Sequence, residues 1–267
     1  LMVILSAERR KQRRNRRSIL ELDDSSRRRV RALISASRFV IQPTSDSIKA
    51  VETRLGPGSI PLDVAVTAEL GLDQTLAVTE VLASHGYEVT PHLSADHVKS
   101  RQHLSEVARR LSRRGIQRVL VVEATGTDLR ITTGAVVAQL AEHSEGLQIG
   151  VRLDPGDLSD ETLGTAKPAT YLSTVPGESV ARCLASVAAL RMRDVEQPVE
   201  VGIPGVVQAA GGGRWIDPTR TVAELGSDQG LDRLGVSGLL IDTGNHINAN
   251  AAWRQQLFDL AAPGRAV

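Results

Sequence analysis

The sequence predicts an α/β chain, a (β/α)8 TIM barrel preceded by a basic N-terminal helical arm. Three observations carry this expectation. After residue 37, short runs rich in β-branched residues alternate with segments of helical period, eight times over residues 38–267. The runs are nearly continuous, as in Val119-Leu120-Val121-Val122, which is the pattern of parallel strands buried on both faces. No Gly-rich phosphate turn follows the first run, where an open doubly wound sheet would often carry one. A barrel of this kind typically takes ~250 residues, and the chain has 267.

The strands are expected at Arg38–Pro43, Asp63–Ala68, Glu88–Leu93, Arg118–Ala124, Gln148–Leu153, Ala169–Val175, Val199–Val206 and Gly238–Thr243. Helices are expected between and after them, at Ser45–Leu55, Leu72–His85, Ser100–Arg114, Thr132–His143, Ser159–Lys167, Glu178–Leu190, Thr219–Leu234 and Ala251–Ala262. Stripes such as Leu104, Val107, Ala108 and Leu111 give each helix one face to bury against the sheet. Gly86, Gly115 and Gly235 stand where a helix ends before the next strand, a position that favours a left-handed residue. The run Gly211-Gly212-Gly213 lacks the Lys of a P-loop and reads as a flexible loop. Residues 1–37 form the arm and 38–267 the barrel.

Composition excludes several classes. With 41% hydrophobic and 24% charged residues the chain has the make-up of a soluble globular protein. No apolar run approaches the ~18 residues of a membrane span, and the start does not read as an export signal. The one cysteine, Cys183, cannot form an internal disulfide, which suits a reducing cytoplasm. Six aromatic residues offer few stacking surfaces, which argues against single-stranded nucleic acid as a partner. The net charge of +1 conceals an asymmetry, +7 over residues 1–37 and −6 over the remainder. Seven of the nine residues Arg9–Arg17 are basic. This run reads as a solvated helix or arm, with an anionic polymer as the other reading.

In a (β/α)8 barrel, function gathers at the C-terminal ends of the strands. Those ends hold Gln42, Thr67 with Glu69, His92, Glu123 with Thr125, Arg152 with Asp154, Thr174, and Asp242 with Thr243 and Asn245. Zinc chemistry is a poor match, because His92 with Glu69 and Glu123 lacks ligand spacing. Cys183 lies inside an amphipathic helix, and no Ser occupies a nucleophile elbow. Acid–base chemistry matches best, with His92, Glu69 and Glu123 as the catalytic candidates. Two plainer readings stay open: His92 as a neutral hydrogen-bonding imidazole, and Glu123 as the salt-bridge partner of Arg152.

Several segments, in order along the chain, resemble the methylenetetrahydrofolate reductases. They are Asp63-Val64-Ala65-Val66-Thr67 followed by Asp73-Gln74-Thr75-Leu76, then Tyr87–Leu93 with its Pro91-His92-Leu93. Next come Gly115–Val122, Val201-Gly202-Ile203-Pro204-Gly205, and Gly235-Val236-Ser237-Gly238 running on to Thr243 and Asn245. The resemblance implies FAD and NAD(P)H as cofactors and a reduced folate as substrate. It places Thr67 and His92 beside the flavin, with Thr125, Arg152 and Asp154 completing the cofactor side. Gln42, Thr174, Thr243 and Asn245 fall to the substrate. The sequence departs from the family in the strand 1 glutamate, replaced within Val40-Ile41-Gln42-Pro43, and in the strand 4 aspartate, replaced within Glu123-Ala124-Thr125.

The function implied is reduction of 5,10-methylenetetrahydrofolate to 5-methyltetrahydrofolate by a nicotinamide cofactor, with an altered or absent flavin site. The alternatives are a non-redox folate-binding barrel in one-carbon transfer or demethylation, and a regulatory or scaffold barrel. A homo-oligomer without membrane or nucleic-acid partners completes the expectation.

Overall fold

The computed structural model describes residues 15, 18–123, 131–143, 146–154, 159–175, 179–206, 216–227 and 231–263. Of the sequence-based expectations, Thr125, the Gly211–Gly213 loop and nearly all of the basic run Arg9–Arg17 lie outside these residues.

Eight parallel strands close into a barrel in the order of the chain. They are β1 (Arg38–Ile41), β2 (Leu62–Val64), β3 (Val89–Ser94), β4 (Arg118–Val122), β5 (Gln148–Leu153), β6 (Tyr171–Thr174), β7 (Val199–Pro204) and β8 (Val236–Asp242). The register closes where Phe39 of β1 pairs with Ile241 of β8. Around the barrel lie α1 (Asp24–Ser35), α2 (Ser45–Arg54), α3 (Gly71–Ser84), α4 (Arg101–Arg113), α5 (Thr133–His143), α6 (Asp160–Ala166), α7 (Val180–Arg191), α8 (Pro218–Ser227), α9 (Leu231–Leu234) and α10 (Ile247–Leu260). No helix among the described residues is long and apolar enough to cross a membrane.

Local chemistry explains where these helices begin and end. The side chains of Asp23, Thr44, Ser100, Ser159 and Ser179 each accept a hydrogen bond from a backbone N–H in the first turn of α1, α2, α4, α6 and α7. Each satisfies a donor that the helix leaves unpaired. Gly86, Gly115 and Gly235 have φ of 85°, 66° and 61°, the left-handed conformation expected of them.

Several element boundaries differ from expectation. Within the expected helix Thr219–Leu234, the described residues hold α8 and α9. Strand β2 stops at Val64, ahead of Ala68, because the chain turns at Thr67, whose carbonyl accepts from Gly71 N. Helix α10 begins four residues early, through Asn248 and Asn250, residues with poor helix propensity. The buried Asn250 side chain accepts from Val206 N and donates to the Val206, Thr243 and His246 carbonyls. Those bonds outweigh the local preference.

The segment preceding β1 shares the barrel's core. Val30, Leu33 and Ile34 of α1 are buried with Ile19 in the large cluster between strands and helices. Arg27, 5% exposed, donates to the carbonyls of Ile19, Leu22, Leu260 and Ala262, so it closes the C-terminal end of α10. Arg31 lies over the Phe258 ring at 4.2 Å and donates to the Phe258 carbonyl.

Inside the barrel the apolar packing is thin. Val40, Leu120, Tyr171 and Leu240 form a small buried cluster with Ala65 and Val122 against it. Tyr171 fills the centre because Gly150, its register partner on β5, has no side chain. A Cβ on Gly150 would sit 2.2 Å from Tyr171 Cζ. The ring cannot easily retreat: its hydroxyl donates to the Val119 carbonyl, and Arg118 covers one face at 4.1 Å. Gly150→Ala is expected to destabilise the barrel by about 1–3 kcal/mol through overpacking, and Tyr171→Leu in the same chain to recover part of that loss. Urea unfolding of the single and double variants measures both.

Candidate active site at the barrel mouth

Period-2 alternation sends every second strand residue into the barrel, and here many of those residues are charged. Arg38 Nε donates to Asp63 Oδ1 at 2.6 Å, its Nη1 to Glu88 Oε1 at 2.6 Å and its Nη2 to Thr90 Oγ1 at 2.7 Å. The other Asp63 oxygen meets His92 Nε2 at 3.1 Å. His92 Nδ1 then faces Arg152 Nη2 at 3.5 Å. A guanidinium can only donate, so Nδ1 is the acceptor of that long contact. Nε2 therefore carries the imidazole proton and donates it to Asp63. The chain Glu88–Arg38–Asp63–His92–Arg152 runs from the strand starts towards the mouth.

Electrostatics follow from this packing. Burial opposes ionisation of Asp63, but Arg38 and His92 outweigh it and hold the carboxyl well below its ordinary range. His92 is 1% exposed, and burial together with the Arg152 charge keeps its pKa below the usual imidazole value. Burial also lowers Arg152, against the pull of Asp63 and Asp242. Burial raises the Glu200 carboxyl, against the neighbouring Arg118.

A cavity of about 510 Å³ lies between the ends of β4 and β5 and the helices α5 and α6. Glu123, Thr132, Thr133, Arg152, Ser159 and Thr162 contribute polar lining. Thr132 caps α5, accepting from Ala135 N at 3.2 Å, so the positive end of that helix opens on the cavity. Arg152 makes no ion pair among the described residues, and its buried Nε has no hydrogen-bond partner.

The sequence-derived candidates separate into groups. Glu123 is exposed at the cavity rim, and the salt bridge to Arg152 considered from sequence does not form. Glu69 is exposed in the turn after β2, and Asp154 is exposed at the end of β5. Thr67 Oγ1 accepts from Leu70 N at 3.2 Å and shapes that same turn. Thr243 is fully buried and donates to the Val40 carbonyl at 2.7 Å, sealing β8 to β1. Thr174, also buried, accepts from Gly202 N at 2.9 Å. Asn245, in left-handed conformation at φ 68°, accepts from Gln42 N and Ser47 Oγ and ties the end of β8 to the start of α2. Among the described residues, only Glu123 and Arg152 of the candidates line the cavity, and the His92 ring faces the Arg152 guanidinium.

Sequence reasoning passed over Arg38, Asp63, Arg118 and Glu200, because it searched only the strand ends. The available signal was a charge inside an apolar run, as in Leu62-Asp63-Val64 and Val199-Glu200-Val201. Among the described residues, no three His, Cys, Asp or Glu side chains gather so as to hold a metal ion.

No family model matches the chain, and no curated protein matches it. Solved structures do match its fold. A candidate phosphonomutase from Burkholderia cenocepacia J2315 is 18% identical with a TM-score of 0.50, covering 89% of this chain and 100% of its own. A 2,3-dimethylmalate lyase, described as a PEP mutase/isocitrate lyase superfamily member, is 13% identical with a TM-score of 0.51, covering 90% and 87%. A candidate chitinase A from Streptomyces coelicolor is 13% identical with a TM-score of 0.53, covering 86% and 99%. At these identities the likeness establishes the barrel fold.

These neighbours correct the family expectation. They are described as lyases, mutases and a chitinase, and the resemblance to methylenetetrahydrofolate reductases gives way to them. With it go the oxidoreductase activity, FAD, NAD(P)H and the folate substrate. The folate-binding and scaffold alternatives gain no support either. The physical reason is visible in the segments that carried the resemblance: Thr67 and Thr243 hydrogen-bond backbone, and His92 is enclosed beneath Arg152.

Both shifts in the buried pair act in one direction with pH. The unfolded chain protonates His92 near pH 6.5 and the folded chain only below that, so stability falls as pH drops through about 6.5. The Asp63 contribution is complete above the unfolded carboxylate range near pH 4, and is lost as pH falls below it. Urea midpoints are expected to decline from pH 7.5 to 4.5, with a shallower slope in His92→Gln. Asp63→Asn leaves Arg38 without its buried carboxylate and is expected to cost about 3–5 kcal/mol at pH 7.5.

Proposed function

We propose that the barrel binds a small organic anion, a carboxylate or phosphonate, at its C-terminal mouth and acts on it as a lyase or mutase. The observation that carries this reading is Arg152, a residue lining the cavity whose guanidinium has no carboxylate paired to it and a buried Nε without a partner. Such a group is costly to bury alone and suits an anion that arrives with the substrate. The positive end of α5 on the same cavity adds to the attraction. Two neighbours of this fold, the phosphonomutase and the 2,3-dimethylmalate lyase, are named for substrates of these classes.

Arg152 is then the anchor, and Glu123 is the proton-transfer group. With a 2-hydroxy acid, Glu123 takes the hydroxyl proton, the C2–C3 bond breaks, and C2 becomes a carbonyl. The electron pair passes to C3, where a carboxylate held by Arg152 shares the charge, and the proton returns there. His92 and Asp63 serve as positioning residues, holding the guanidinium from below. A glycosidase reading is weaker, because that chemistry uses two facing carboxylates, and Glu123 is the only carboxylate lining the cavity among the described residues. The buried, lone Cys183 accords with a cytoplasmic setting.

Titration calorimetry with 2-methylmalate and phosphonoacetate tests the anchor. Arg152→Gln is expected to weaken binding at least tenfold, about 1.4 kcal/mol. Glu123→Gln is expected to keep binding within a factor of about three and to lower any turnover of 2-methylmalate about 100-fold or more. Equal affinity in wild type and Arg152→Gln would remove Arg152 from the site.

A further inference from the structure

A second cavity, of about 490 Å³, opens at the opposite end of the barrel. Its walls come from the strand starts: Arg38 of β1, Arg118 of β4, Gln148 of β5, Tyr171 of β6, Glu200 of β7 and Ser237 of β8. It shares no lining residue with the cavity at the mouth. Barrel floors at this end ordinarily contribute stability through packed side chains. This one is charged and open.

Two buried polar atoms of its lining residues are unsatisfied. Arg118 Nη2 donates to Glu200 Oε1 at 2.8 Å, yet Arg118 Nε and Glu200 Oε2 have no hydrogen-bond partner. The Glu200 side chain is 8% exposed, and Arg118 is fixed against the Tyr171 ring. A buried polar group left unpaired is costly, so the two create a specific demand for one acceptor and one donor. Arg38 adds no demand, because Asp63, Glu88 and Thr90 already hold its three nitrogens. The charges are also matched, Arg118 by Glu200 and Arg38 by Asp63 and Glu88. An ionic ligand would upset that balance.

We infer that this N-terminal-face cavity is a second ligand site, separate from the mouth, for a small uncharged molecule with a carbonyl beside an N–H. A lactam or ureide edge has this form. Its carbonyl accepts from Arg118 Nε, and its N–H donates to Glu200 Oε2. The ion pair thus becomes a ring of hydrogen bonds closed by the ligand.

The test is a titration of the full chain with hydantoin, followed through backbone amide shifts, with acetate and methylammonium as charged comparators. Hydantoin is expected to move the Gln148 and Ser237 amides and to leave Glu123 in place. Ser237→Phe, which narrows the opening from an exposed position outside the ion pairs, is expected to weaken that binding at least tenfold. Arg152→Gln is expected to leave it within a factor of two. Absence of hydantoin shifts, meaning a floor satisfied by water alone, would overturn the inference. Equal binding of acetate or methylammonium would do so as well, as would shifts centred on Glu123. The amide shifts in the wild-type chain decide the matter even if Ser237→Phe fails to fold.

Discussion

The Arg38–Asp63–His92 contact is the constraint on which the rest of this barrel depends. Side chains from β1 and β3 share one buried carboxylate of β2, with Asp63 accepting from Arg38 at 2.6 Å and from His92 at 3.1 Å. Buried charges are tolerable only when paired and hydrogen-bonded, so the register of β1, β2 and β3 is tied to this arrangement. A slip of one residue would turn Asp63 towards the apolar layer under the helices. The same carboxylate settles the proton on His92 Nε2, and that tautomer presents the Nδ1 lone pair to Arg152. A contact deep in the barrel thereby sets the orientation of a group at its mouth.

The charged interior also explains why the two ends of the barrel resemble one another chemically. Many (β/α)8 barrels fill the centre with layers of branched apolar side chains. Here the apolar filling narrows to Val40, Leu120, Tyr171 and Leu240. Above it stands Arg152 with an unpartnered Nε, and below it stand Arg118 and Glu200 with an unpartnered nitrogen and oxygen. Stability comes instead from the large outer cluster between strands and helices, to which α1 and Ile19 contribute. A well-packed shell leaves the axis free to hold polar groups that a smaller domain could not accommodate.

Much of the architecture was legible in the chain. Continuous apolar runs marked all eight strands, and Gly86, Gly115 and Gly235 marked helix ends that do adopt positive φ. Helix α10 escaped the reading at its start because Asn248 and Asn250 look like helix breakers in isolation. The tolerance of Asn250 depends on Val206, 44 residues away in sequence, which pairs with its amide. For the candidate site, the rule that function gathers at strand ends brought Glu123 and Arg152 forward together. It also brought forward Thr243, Thr174 and Asn245, whose hydrogen bonds to backbone no local pattern discloses.

The sequence by itself determined the alternation of strand and helix, and with it the closed parallel barrel, because hydrophobic periodicity is a local property of the chain. Tertiary structure alone decided which charges meet. Arg38 and Asp63 are 25 residues apart and His92 and Arg152 are 60 apart, and only barrel closure places such residues on one axis. Whether a hydroxyl or guanidinium is available to a ligand depends on whether the fold already satisfies it. That depends on three-dimensional neighbours, so the resemblance of short segments to another family did not extend to the site those segments build.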